Sequence, residues 1–142
     1  MVTPAQAQDL LDTYRRALQS LDVDLALSLY REEAELRDDP WGPTCLGVLA
    51  IRARWNALAA TRAHIDFDIE RHWTSGSAVI AAWHGAYTVR ASAARVRQRA
   101  VTIFELDAGG LILRERTWAL ERSVGLDSTW TPEPEEPEDG SA

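Results

Sequence analysis

Ala34-Glu35-Leu36-Arg37-Asp38-Asp39-Pro40-Trp41-Gly42-Pro43 runs from alternating apolar and polar residues into two adjacent carboxylates and then a proline–glycine turn. The alternation predicts a strand over 34–39, and Pro40 to Pro43 supply the turn. Thr44 stands where the N-cap of a following helix belongs, and Val48, Ile51, Trp55 and Leu58 recur on one face of that helix. A carboxylate at a strand end beside aromatic side chains suits a general base whose pKa is raised by burial. It equally suits a solvated turn. Alternation puts Ala34, Leu36 and Asp38 on the apolar face, so the strand pattern selects Asp38 as the inward carboxylate.

Upstream, Leu10, Tyr14, Ala17, Leu18 and Leu21 predict an amphipathic helix over 5–20. Ser20 to Asp24 break it, and a second helix follows with Leu25, Ala26, Leu29 and Tyr30 on its apolar face. Downstream, strands dominate. Ile65, Phe67, Ile69, Arg71 and Trp73 alternate with His64, Asp66, Asp68, Glu70 and His72. Ser75-Gly76 leads into a strand over 78–90, then one over 96–106, and Asp107-Ala108-Gly109-Gly110 marks a hairpin before a strand over 111–121. Three helices around one early strand, followed by a four-strand meander, predict an α+β fold with helices packed on one sheet face.

The chain's 142 residues suit one domain, and residues 1–125 are enough for a core without staples. Residues 126–142 differ: Pro132, Pro134 and Pro137 accompany six acids and no base. Such a segment buries too little apolar surface to offset its ordering entropy, so a disordered tail is expected there. Six of the seven net negative charges fall in it, which leaves 1–125 with 16 acids against 15 bases. That balance gives no basic field for nucleic acid. No apolar run is long enough to span a membrane, and residues 1–6 lack a signal-peptide pattern. The expectation is a cytoplasmic protein. All 15 bases are arginine, which excludes Schiff-base, P-loop and kinase-type lysine chemistry. Cys45 is the lone cysteine, without an evident histidine partner, and reads as structural.

Several short motifs in order carry a resemblance. Tyr14-Arg15-Arg16-Ala17-Leu18, Asp22-Val23-Asp24-Leu25, Asp39-Pro40-Trp41-Gly42, and Gly47 with Ala50-Ile51-Arg52 resemble the nuclear transport factor 2-like superfamily. That superfamily includes ketosteroid isomerases and SnoaL-like polyketide cyclases, and the likeness covers most of residues 7–122. It implies a cone: a curved antiparallel sheet with the three N-terminal helices on its concave face. It also implies a homodimer through the outer sheet face and a pocket for a small apolar or aromatic molecule, worked without a cofactor or metal. Tyr14 matches the isomerases' oxyanion donor, and their Asp-Pro motif selects Asp39 as base where strand alternation selects Asp38. Thr102, in Val101-Thr102-Ile103-Phe104, stands where the isomerases carry a protonated acid. Losing one oxyanion donor typically costs about 3 kcal/mol of transition-state stabilisation. Trp55 stands where those isomerases carry a tyrosine.

Trp41, Trp55, Trp83, Tyr87 and Trp118 are candidate walls for a flat ligand. Trp83 and Tyr87 share one face of their strand and His84 the other, so only one of these sets lines a pocket. The acids and histidines of 64–72 read as a charged sheet face opposite Arg97, Arg99, Arg114 and Arg116, not as metal ligands. Three functions follow. The first is cofactor-free acid–base chemistry on a carbonyl compound, by Asp38 or Asp39 with Tyr14 and Thr102. The second is a non-catalytic binding or dimerisation module. The third is epoxide hydrolysis, which in similar folds uses an Asp-Arg-Asp set. It requires a second inward carboxylate, and Glu115 qualifies only if its strand face points inward.

Overall fold

The first helix, α1 (Pro4–Ser20), is fixed at both ends: Thr3 and Gln6 form a reciprocal capping box, and Leu21 closes it in the left-handed conformation. Its apolar stripe, including Leu10, Leu11, Tyr14 and Leu18, is buried. The computed structural model describes residues 1–124; the expectation for 126–142 lies outside them.

After an Asp22 cap, α2 (Val23–Leu27) lasts only five residues. Here the helical pattern misleads. Leu29 accepts a hydrogen bond from the Ile112 N–H, and Tyr30 opens strand β1 (Tyr30–Arg37) instead of extending the helix. The expected N-cap at Thr44 is also displaced. Cys45–Leu46 forms a short strand, β2, paired back on Leu36 and Glu35. Gly47, at φ +88°, then caps α3 (Val48–Thr61), and its N–H reaches the Ala34 carbonyl. Only glycine enters that backbone region without strain.

Four long strands follow: β3 (Arg62–Ser75), β4 (Ala78–Val89), β5 (Arg95–Leu106) and β6 (Ile112–Val124). The sheet order is β2-β1-β6-β5-β4-β3, antiparallel except for the β1–β6 pair. Register shifts in β3 between Ala63 and Asp66 and between Ile69 and Arg71 help to curve it. Gly85 lets the two backbones approach there, since a Cβ would sit 2.5 Å from the Asp66 carbonyl oxygen. The result is the α+β cone, an unclosed curved sheet around its helices. Its core joins the α1 stripe, Trp55 and Ile51 of α3, and inward Phe67, Val79, Trp83 and Phe104.

The outer face is charged toward β3, where His84 and Arg99 meet Glu70, and Arg95 meets Asp66. Arg114 and Arg116 pair with Glu105 and not with the acids of β3. Among the described residues, no helix is long and apolar enough to cross a membrane.

Candidate active site

Ile112 and Glu115 lie three residues apart on β6, a spacing that puts side chains on opposite faces of a regular strand. Both are buried, because the β5–β6 register shifts between the Glu105–Arg114 and Leu106–Ile112 pairs. The shift turns Glu115 into the concave face, where it is 3% exposed. Tyr30 donates to its Oε1 at 2.5 Å and Tyr14 to its Oε2 at 2.9 Å. Trp55 Nε1–H in turn donates to the Tyr30 hydroxyl at 3.4 Å. Tyr14 is held edge-on to Trp55 and Phe104, with ring centroids 5.8 and 5.1 Å apart.

Burial drives the electrostatics of this cluster. Desolvation raises Glu115 to about 7; the two phenol hydrogen bonds oppose the shift, and the negative charge of Asp38 adds to it. Burial, and then the Glu115 carboxylate, push both tyrosine hydroxyls well above the ordinary phenol range. At pH 7 Glu115 is therefore divided between its protonated and charged forms, while Tyr14 and Tyr30 stay protonated.

The two aspartates at the end of β1 have separate roles. Asp38 forms an ion pair with Arg54 of α3. Asp39 accepts the Trp41 backbone N–H at 2.9 Å and closes the turn. Both line a cavity of about 490 Å³. Tyr14, Leu36, Trp55 and Glu115 form its buried end; Leu18, Leu58, Trp83 and Thr117 add walls; Arg54, Arg62, Gln98 and Glu121 stand at its more exposed end.

The other candidates divide by sheet face. Trp83 and Tyr87 lie on the concave side, and His84 lies on the convex side with Glu70 at 2.8 Å. Tyr87 stacks under Arg62 and donates to Glu121 at 3.4 Å, so it reaches the cavity only through those two residues. Thr102 is buried, but its hydroxyl accepts from Trp83 Nε1 at 2.9 Å and pairs with Thr117 at 2.8 Å, which leaves it engaged within the wall. Trp41 is 94% exposed on the turn, and Trp118 is 42% exposed on the convex face beside Arg116. Neither borders the cavity. The sequence reading passed over Tyr30 and Arg54 and admitted Glu115 only conditionally. Tyr30 was hidden in an apparent helix stripe. The signal for Arg54 was its place on α3, one residue before inward Trp55.

The SnoaL-like domain model matches residues 11–115, a span that runs from α1 to Glu115 itself. No curated protein matches the chain significantly in sequence. Among solved structures, the epoxide hydrolase/cyclase-like enzyme SalBIII of salinomycin pyran-ring formation aligns with TM-score 0.76 and 21% identity, over 84% of this chain and 95% of its own. The ketosteroid isomerase of Mycobacterium sp. gives 0.71 and 17%, over 82% and 98%. An LEH-like epoxide hydrolase of M. tuberculosis gives 0.70 and 18%, over 82% and 84%. These likenesses show a fold shared by cyclases, isomerases and epoxide hydrolases. By the match over 11–115, the chain belongs to the SnoaL-like domain family.

Proposed function

We propose that the chain is a cofactor-free acid–base enzyme acting on a small, largely apolar molecule, and that it opens an epoxide with water or an internal hydroxyl. The observation that carries this reading is buried Glu115, raised to about 7, beside the Asp38–Arg54 ion pair in one cavity. Two carboxylates in unlike environments suit an acid and a base. Protonated Glu115 donates to the epoxide oxygen as its C–O bond breaks. The attacking hydroxyl forms the new C–O bond and passes its proton to Asp38. Solvent exchange then returns each carboxylate to its starting state. Arg54 holds Asp38 in place, and Asp39 serves the turn.

Carbonyl isomerisation has less support. It needs donors aimed at a vacant oxyanion position, whereas the Tyr14 hydroxyl is bonded to Glu115 and Thr102 is bonded within the wall. Two of the structural neighbours are named for epoxide chemistry, which favours the same direction. The aromatic walls Trp55 and Trp83 suit an apolar or aromatic substrate.

Hydrolysis of styrene oxide, followed by chromatography of the diol, tests the reading. The wild type should form diol above the buffer rate, and Glu115→Gln and Asp38→Asn should each reduce it by roughly 10²–10⁴-fold. Equal rates in wild type and both variants would sink it. We further propose a homodimer through the convex sheet face, where Val101, Trp118 and Leu120 are exposed side by side on neighbouring strands.

A further inference from the structure

Arg62 opens β3 and lines the cavity, half-buried, with its guanidinium carbon 3.8 Å from the centroid of the Tyr87 ring. Among the described residues it forms no ion pair and its guanidinium makes no hydrogen bond. Three acids of the same cavity are engaged elsewhere. Asp38 is paired with Arg54, Asp39 takes the Trp41 N–H, and Glu121 accepts Gln98 Nε2 at 2.7 Å and the Tyr87 hydroxyl at 3.4 Å. Burial is the largest influence on Arg62 and lowers its pKa; Tyr87 first, and then the charges of Glu121 and Asp38, only partly offset it. Stacking on Tyr87 engages the flat face of the guanidinium and leaves its N–H donors without partners. A planar fork of unpaired donors in a partly desolvated wall matches a carboxylate.

We propose that Arg62 is an anion-binding residue of the cavity and that the substrate carries a carboxylate at the end away from its reacting oxygen. This rests on the acid–base reading only for the position of the reacting end at Glu115. The charge of Asp38 reaches both Arg62 and Glu115, so the anion site and the reacting end share one cavity with the Asp38–Arg54 pair between them in influence. Leu18, Leu58 and Trp83 give the same cavity its apolar wall. The chemical class is a mainly hydrocarbon acid, not a neutral hydrocarbon.

Decanoate and decanol differ in the anionic group and share the chain, and their binding is read by the fluorescence of the cavity tryptophans at near-neutral pH. Wild type should bind decanoate at least about tenfold more tightly than decanol, the scale of a charge-assisted hydrogen-bonded pair. Arg62→Gln should bring decanoate to the level of decanol and leave decanol unchanged, while Arg62→Lys keeps part of the preference. Circular dichroism confirms that each variant is folded. Glu115→Gln should retain the full preference. Equal affinities in the wild type, a preference that survives Arg62→Gln, or no binding of either probe would overturn the proposal. If styrene oxide is not opened while the decanoate preference holds and depends on Arg62, the acid–base reading fails and the anion subsite stands.

Discussion

Tyr30 donates a hydrogen bond from its hydroxyl to Oε1 of Glu115 at 2.5 Å, across the parallel pair formed by β1 and the last described strand, β6. Tyr14 takes the other oxygen from the helical layer, so the carboxylate is held from two sides. Both bonds favour the charged form of Glu115, yet burial outweighs them. Removing one of them should therefore raise the pKa further. Tyr30→Phe is expected to move the pH limb that reports Glu115 in the epoxide-opening rate to a value above that of wild type. It also strips the Trp55 indole N–H of its acceptor, which should cost about 1–3 kcal/mol of stability. A limb that stays in place or moves down would contradict this account of the site.

The same burial makes stability depend on pH. Unfolded Glu115 titrates near the model value of 4.5, and folded Glu115 near 7. Between these values the folded chain binds more protons than the unfolded chain, so stability falls as pH rises through the window. The full loss, reached above about pH 7, is about 3 kcal/mol. Glu115→Gln should remove this contribution. Urea unfolding of the two proteins should show a stability difference that shifts in favour of the variant between about pH 4.5 and 7. A difference that is flat across the window would count against the buried, proton-holding carboxylate.

Asp38 and Asp39 are adjacent in sequence and should behave differently. Asp38→Asn removes the negative charge that raises Glu115, so the Glu115 limb should move down while the rate falls by roughly 10²–10⁴-fold. Asp39→Asn keeps an oxygen for the Trp41 N–H and should leave the rate within about twofold of wild type, because a replaced acceptor costs little. Equal losses at both positions would mean that the turn, not the Arg54-paired carboxylate, is what the chemistry requires.

Much of this arrangement was legible in the sequence, and the rest was hidden for definite reasons. Helical spacing at Leu10, Tyr14 and Leu18, alternation along 65–69, and the turn at Asp107 to Gly110 each point to the element that forms. In each, local pattern and tertiary packing agree. The register shift after Ile69 turns Arg71 and Trp73 out of the Phe67 face that alternation gives them. Tyr30 follows a short amphipathic stretch, and only its long-range pairing with Ile112 makes it a strand residue. Glu115 was obscured by the shift in β6, which breaks the period of two that an alternation argument assumes. The face choice between Trp83 and His84 was open because a strand with side chains on both faces does not say which face is concave. Curvature, set partly by the β3 bulges and Gly85, determines it.

The convex face makes its own prediction. Leu120 is 79% exposed and sits across from Arg99, while Trp118 sits across from Val101. Apolar residues grouped on a sheet face beside charged neighbours suit self-association. Analytical ultracentrifugation of the wild type should give a dimer, and Trp118→Arg with Leu120→Asp should give a folded monomer. A wild-type monomer at high concentration would remove the dimer from the account.

The central claim is that Glu115 is a proton-holding acid inside the cavity, and its own titration tests this most directly. The carboxyl carbon of Glu115, followed by ¹³C NMR in uniformly labelled protein and assigned by comparison with Glu115→Gln, should titrate at about 7. A titration near the ordinary glutamate value of about 4.3 would contradict it.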